Sequence, residues 1–245
     1  MREEEYRAMF DVEERLWWYE GMRAITATIL DHLKPQLNGG RLLDVGCGTG
    51  FSMKWLRERF NSSAAFGVDV SEHATEFWRK TGLDTVAVAS AAALPFRANE
   101  FDLVTCFDVI YQLESRAAGE ALVDINRVLR RGGLLFIREP AYDWLRGSHD
   151  VAVSTRHRFT RGALRGLLES NGFVIRRASY ANTLLFPAAV GHRLLSKGGD
   201  ASDVREVPGL MNKTLGAALK LEARMLAHLS FPFGLSVIAL AEKNL

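Results

Sequence analysis

Residues 42–50 read Leu-Leu-Asp-Val-Gly-Cys-Gly-Thr-Gly, and this stretch decides the fold. Leu42–Val45 is a short apolar run, the pattern of a buried strand. Gly46, Gly48 and Gly50 follow at alternate positions, where glycine lets the backbone turn tightly and approach a ligand closely. Phe51–Phe60 then reads as a helix. The loop therefore ends at a helix N-terminus, with free N–H groups and the positive end of the dipole.

Outward from that loop, strand and helix signals alternate. Ala65–Val70 is a second strand, and Ser71 is placed to cap a helix through Lys80. Thr85–Ala89 and Phe101–Phe107 are strands, and Arg116–Leu129 is a helix with Leu122, Ile125, Val128 and Leu129 on one face. Gly132-Gly133 is read as its end, followed by strand Leu134–Arg138. Thr160 caps a helix through Ser170, Phe173–Tyr180 is a sixth strand and Leu235–Ala241 a seventh. The expected class is α/β: a doubly wound, seven-stranded, mostly parallel sheet in one domain. Residues 1–38 form a helical N-terminal lid, 39–181 the cofactor-binding core, 182–230 a helical insert over the acceptor, and 231–245 the last strand. Ligands in such sheets bind at the carboxyl ends of the strands, where the strand order reverses.

The loop spacing is G-x-G-x-G, not the G-x-G-x-x-G of dinucleotide folds. Asp44 stands two residues before the first glycine, where it repels a pyrophosphate but suits an amino-bearing ligand. Asp69, nineteen residues beyond Gly50, ends the next strand and can accept from both hydroxyls of a ribose. A ligand with a ribose, an amino-acid tail and no phosphate fits this pattern, which points to S-adenosylmethionine.

From Leu42 to Gly133 the chain resembles the class I S-adenosylmethionine-dependent methyltransferases, in the type 11-like bacterial group acting on small molecules or lipid intermediates. The blocks that carry the resemblance are Leu42–Gly50, Gly67-Val68-Asp69-Val70-Ser71, Leu94-Pro95-Phe96, Phe101-Asp102-Leu103-Val104, Asp108-Val109-Ile110 and Leu129-Arg130-Arg131-Gly132-Gly133. The resemblance implies that Gly46, Cys47, Gly48 and Gly50 line the methionine half of the cofactor and that Asp44 orients the loop and the amino group. Asp69 and Val70 would meet the ribose, and Ser90 and Ala91 the adenine. Phe107 and Asp108 would lie near the reacting methyl. Many relatives carry Asp at Ser90, so the adenine amino group here falls to a hydroxyl or a backbone contact. Leu16-Trp17-Trp18-Tyr19-Glu20-Gly21-Met22-Arg23 resembles an aromatic lid, from which Tyr19 and Arg23 would close over the cofactor carboxylate.

Methyl transfer from a sulfonium is an in-line substitution, served by alignment and exclusion of water. A base, where the acceptor needs one, is sought after the fourth and fifth strands. His149 is the first choice, with Asp150 to hold its tautomer; Tyr111 and Tyr142 are the other catalytic candidates, beside Gln112 and Glu139. His157 reads as structural. The insert supplies Leu184, Leu185, Phe186, Leu194, Leu195, Leu219, Met225, Leu226 and Leu229, so the acceptor is expected to be apolar or aromatic, methylated on oxygen or carbon with S-adenosylhomocysteine as co-product. Arg156, Arg158, Arg161 and Arg193 form a basic rim.

Composition limits the alternatives. The 245 residues are 48% hydrophobic with a net charge of +2. Residues 1–150 hold 18 basic against 23 acidic residues, and residues 151–245 hold 13 against 6, an uneven solvated surface or an anion-facing C-terminal part. Two cysteines exclude a disulfide framework, and no His or Cys cluster has metal spacing. No apolar run approaches the ~18 residues of a membrane span, which leaves only peripheral membrane contact open. The acidic start, MREEEYRAMF, is not a secretory signal, and a cytoplasmic protein is expected. A nucleic-acid or protein methyltransferase is the alternative; against it stand the modest basicity and the lack of an Asn-Pro-Pro-aromatic block. A cofactor-binding homologue with a non-methylating reaction, such as a cyclisation, is the third reading.

Overall fold

The computed structural model describes residues 3–147, 155–195 and 207–244. Seven strands form one sheet: β1 (Arg41–Val45), β2 (Ala64–Asp69), β3 (Val86–Val88), β4 (Phe101–Phe107), β5 (Leu129–Pro140), β6 (Phe173–Ala181) and β7 (Ser236–Lys243). Their order is β3-β2-β1-β4-β5-β7-β6. β7 runs antiparallel to both β5 and β6, and the other pairs are parallel. From β1 the chain steps outward to β2 and β3, then returns to β4 on the other side. The crevice of a doubly wound sheet therefore opens at the carboxyl ends of β1 and β4.

The helices that flank these strands are α1 (Glu3–Val12), α2 (Trp17–Leu30), α3 (Lys34–Leu37), α4 (Phe51–Phe60), α5 (Ala74–Thr81), α6 (Ser115–Val128), α7 (Arg161–Ser170), α8 (Phe186–Leu195) and α9 (Gly209–Leu226). The central strands are buried on both faces, as Leu42, Leu43, Val45, Leu103 and Val104 show. This is why they read as unbroken apolar runs. β4 covers the expected residues, and Thr160 caps α7 as expected, its hydroxyl accepting from Ala163 N at 3.2 Å.

Most boundaries shift by one or two residues, β2 ending at Asp69 and not Val70 and β7 running over Ser236–Lys243, and two differ for a clear physical reason. β5 begins at Leu129, five residues before the strand read from sequence, because Leu129 pairs with Phe101 and draws Gly132 and Gly133 into the strand. The register against β4 then slips between Phe101 and Leu103. Long-range pairing here overrides two glycines that read as a helix stop. α5 begins at Ala74, whose N–H donates to the Ser71 carbonyl at 3.2 Å, and Ser71 donates its own N–H to Asp69. Ser71 thus finishes the strand tip and does not cap the helix through its side chain.

The N-terminal segment docks on the late insert. Trp17 N donates to Asn212 Oδ1 at 2.8 Å, and Lys220 meets Glu20 at 2.8 Å. Gly21 lies against Leu219 so closely that a Cβ at Gly21 would stand 2.2 Å from Leu219 Cδ1 and 2.5 Å from its Cβ. α2 and α9 cannot part without unpacking Leu219, which is fully buried. Gly21→Ala is expected to cost about 1–3 kcal/mol by overpacking. That corresponds to a Tm lower by roughly 2–10 °C for a chain of this size. A scanning-calorimetry Tm equal to that of the wild type would refute this packing.

Candidate functional site

The glycine loop is held from three directions. Gly46 N and Cys47 N both donate to the Val68 carbonyl, at 2.8 and 2.9 Å, tying the loop to β2. The Trp78 indole N–H donates to the Gly48 carbonyl at 2.8 Å from α5. The third hold is Asp69 at the tip of β2: Oδ2 accepts from Gly48 N at 2.9 Å, and Oδ1 accepts from Ser71 N at 2.9 Å. Gly46, Gly48 and Gly50 all have positive φ, which the alternate spacing requires.

A further donor reaches Asp69 from α1, where the Tyr6 hydroxyl donates to Oδ1 at 2.8 Å. The Tyr6 ring stacks near Phe77, and Phe10 packs on the same ring with centroids 5.0 Å apart. Burial and the adjoining Asp69 carboxylate push the Tyr6 phenol well above its ordinary range. Met9, one turn later, lies against Gly48: a Cβ there would stand 2.9 Å from its methyl.

Two buried acids flank the loop. Asp44 is 3% exposed and accepts from Thr105 Oγ1 at 2.6 Å. Burial pushes its carboxyl up to about 7, against the opposing pull of Thr105 and Arg138. Glu13 is 6% exposed; its carboxylate oxygens stand 2.7 and 2.6 Å from Thr49 Oγ1. Its carboxyl is likewise pushed to about 7, again chiefly by burial.

The far side is built from the ends of β4 and β5. Asp108, in the left-handed region at φ 56°, accepts from Arg138 Nε at 2.9 Å. The Arg138 guanidinium is sandwiched between the Trp18 and Phe107 rings, 4.9 Å from each centroid. Tyr19 feels Glu13, Arg138 and Asp108 together, and burial raises its phenol above the usual range. Glu139, fully buried, accepts from Ile110 N at 3.0 Å and Tyr111 N at 3.1 Å, and so fixes the turn after β4.

The structure thus gathers Asp44, Gly46, Cys47, Gly48, Gly50, Asp69, Phe107, Asp108 and Tyr19 at the mouth of β1 and β4. Arg23 reaches the same region but donates to two main-chain carbonyls, Glu13 at 2.6 Å and Glu14 at 2.8 Å, with its guanidinium over Phe51. Val70 points outward at 73% exposure, and Ser90 Oγ accepts from Ala92 N at 3.2 Å while Ala91 is buried. Tyr111 is buried, and its hydroxyl accepts from Gln112 Nε2 at 3.1 Å. Tyr142 stacks on Tyr180 with centroids 5.2 Å apart, at φ 58° and ψ 116°, a strained backbone for a side-chain-bearing residue. Burial and the Tyr180 partner raise its phenol, so Tyr142 is a hydrogen-bond donor at neutral pH. His157 packs edge-on to Phe159, and burial lowers its pKa. His149 and Asp150 lie outside the described residues, as do the side chains of Arg193, Leu194 and Leu195.

Tyr6, Met9, Glu13, Trp78, Thr105 and Arg138 carry no mark in the sequence, and Thr49 is visible there only as part of the glycine loop. The signal that existed was the polar–aromatic stretch Glu3–Val12, whose apolar face reads only as packing. No group of three potential metal ligands occurs among the described residues. No helix among them is long and apolar enough to cross a membrane.

An adenosyl ligand with an amino-acid tail fits the residues present. A buried carboxylate at a strand tip suits ribose hydroxyls, and two buried acids beside an open-backed glycine loop suit a cation. Tyr6 and Met9 of α1 meet Asp69 and Gly48, so α1 covers this part of the loop.

Residues 43–137 match the family described as a methyltransferase domain. An O-methyltransferase of Pyrenophora dematioidea is 34% identical over 49% of this chain and 46% of its own. The chain spans about half the length of the curated relatives it matches. Among solved structures, geranyl diphosphate C-methyltransferase from Streptomyces coelicolor A3(2) aligns with TM-score 0.59 at 18% identity, over 89% of this chain and 78% of that one. The cyclase SpnF aligns with TM-score 0.55 at 22% identity, over 89% and 81%. At these identities the two structures speak for the fold.

Proposed function

We propose that the chain, whose residues 43–137 match the methyltransferase domain family, is an S-adenosylmethionine-dependent class I methyltransferase that moves a methyl group to a small apolar or aromatic acceptor, on oxygen or carbon. The observation that carries this reading is Asp69, buried at the tip of β2 and bonded to the glycine loop through Gly48 N at 2.9 Å.

The bound cofactor supplies an electrophilic methyl on a sulfonium. Asp69 holds the ribose, and Gly46 to Gly50 carry the methionine half. Asp44 and the Thr105 hydroxyl brace the loop from below. Trp78 and Leu83 support it from the side. Arg138, with its guanidinium against both Trp18 and Phe107 and bonded to Asp108, gives the far wall a fixed charge arrangement in a site from which aromatic rings exclude water.

An aromatic group beyond β5 and β6 favours an apolar or aromatic acceptor. Tyr142, Trp144, Tyr180, Phe186 and Phe233 form one contact cluster: Tyr142 stacks on Tyr180, Phe186 meets Tyr142 edge-on with centroids 5.9 Å apart, and Phe233 tilts against Phe186 at 5.4 Å. Trp144 is 61% exposed, so this group has an open face. Tyr142, bonded to Tyr180, offers its ring face to an apolar or aromatic acceptor, and Tyr111 stiffens the turn beside it. His149 stays the proposed base for acceptors that need one.

The test is transfer of label from methyl-labelled cofactor to a fractionated cell extract. Label in small organic-soluble material supports the reading. Label only in protein or nucleic acid overturns the acceptor class, and no label with folded, cofactor-binding protein overturns methyl transfer.

On this reading the Tyr6 phenol and the ribose compete for Asp69. A net hydrogen bond is worth about 0.5–1.5 kcal/mol. Tyr6→Phe is therefore expected to tighten cofactor binding by roughly 2–10-fold in calorimetry. Weaker binding would mean that the phenol contacts the cofactor and does not compete with it.

A further inference from the structure

Resting on the cofactor reading above, we propose that Glu13 receives the ammonium group of the cofactor's amino-acid tail, as a binding residue contributed by the N-terminal segment.

Glu13 follows α1 and is 6% exposed, yet among the described residues its carboxylate forms no salt bridge. Its partner is the Thr49 hydroxyl, 2.7 and 2.6 Å from the two oxygens. That hydroxyl has one proton to give, and a carboxylate has about four acceptor positions. The nearby cation, Arg23, is committed elsewhere: its guanidinium bonds the carbonyls of Glu13 and Glu14 at 2.6 and 2.8 Å. Arg23 thus acts on the Glu13 carboxylate only through space, with no direct ion pair, and a buried carboxylate in that position is costly unless a cation contacts it.

The location says which cation. Thr49 is the residue between Gly48 and Gly50, in the loop that carries the methionine half. On the other side, Tyr19 feels Glu13 together with Asp108 and Arg138. Glu13 therefore meets the loop at Thr49, whereas the ribose acid Asp69 is occupied by Gly48, Ser71 and Tyr6. An ammonium brings three donors to an acid that lacks them. A metal ion is a poorer fit, since no group of three potential ligands lies among the described residues. Arg23, which the sequence offered as a partner for the tail carboxylate, instead fixes the main chain that presents Glu13.

Glu13→Gln keeps the size and the Thr49 bond, because an amide carbonyl still accepts, and removes the charge. Calorimetry with two ligands isolates the tail. S-adenosylhomocysteine carries it, and 5′-methylthioadenosine lacks it. The variant is expected to lose at least about tenfold in affinity for S-adenosylhomocysteine, a typical minimum for a desolvated charge pair. Its affinity for 5′-methylthioadenosine should stay within twofold of wild type. Equal losses for both ligands, or no loss for S-adenosylhomocysteine, overturn the proposal and leave the cofactor reading standing. Wild-type protein that binds neither nucleoside overturns both. If the Gln variant does not fold, Glu13→Asp, one methylene short of Thr49, must weaken S-adenosylhomocysteine alone, and an equal loss on both ligands again overturns the assignment.

Discussion

Asp69→Asn is expected to lower cofactor affinity by about a hundredfold or more, the largest loss from any single substitution in the site. Removing one partner of a buried, charged hydrogen-bonded contact costs about 2–5 kcal/mol. The geometry explains why an amide of the same size does not suffice. Asp69 already accepts from Gly48 N, Ser71 N and the Tyr6 hydroxyl with its two oxygens. An asparagine has one acceptor oxygen and turns an N–H₂ group toward the others. The glycine loop loses its tie to β2 together with the ribose contact. Calorimetric titration of the variant with S-adenosylhomocysteine checks this, with a thermal melt as the folding control. Binding within tenfold of wild type would remove Asp69 from the site and the central argument with it.

Asp44→Asn is expected to act in the opposite sense on stability while it too weakens cofactor binding. The Asp44 carboxyl is pushed from 3.8 to about 7 in the fold by burial, with Asp69 adding to the rise. The folded state therefore holds this proton more tightly than the unfolded chain. Below about pH 4 both states are protonated and nothing is lost. Between about pH 4 and pH 7 the unfolded chain gives up this proton while the fold keeps it, so stability falls, and above pH 7 the penalty levels off at roughly 4 kcal/mol as an upper figure. An asparagine carries no charge and still accepts from the Thr105 hydroxyl, now 2.6 Å away. The variant is expected to gain about 1–3 kcal/mol over wild type at pH 8 and nothing near pH 4. Melts of both proteins at the two pH values measure the difference, in which the similarly raised Glu13 cancels. A gain equal at both pH values would show that charge burial is not its source.

The frame of the molecule was legible because its signals are local. The apolar run Leu42–Val45, the glycines at alternate positions and Asp69 at the next strand end each state their role within a few residues. β4 and the Thr160 cap are read from their own sequence for the same reason. What escaped depends on distance along the chain. Tyr6 meets Asp69 across 63 residues, and nothing in Glu3–Val12 separates this tyrosine from one that simply packs. Its position is set by Phe77 and Phe10, which seat α1 on α5. Glu13 looks like one more charge in an acidic stretch until the fold buries it against Thr49. The sequence offers Arg23 to the cofactor carboxylate, whereas in the fold its guanidinium bonds the Glu13 and Glu14 carbonyls, which follows from how the chain turns after α1. The early start of β5 likewise comes from Leu129 meeting Phe101.

The Tyr6–Asp69 bond also has a kinetic meaning. If one carboxylate serves the phenol and the sugar in turn, uptake passes through an opening event that proceeds without help from the incoming molecule. In rapid-mixing fluorescence the observed association rate then climbs with cofactor concentration and levels off at the frequency with which the first helix lifts. Tyr6→Phe raises that ceiling.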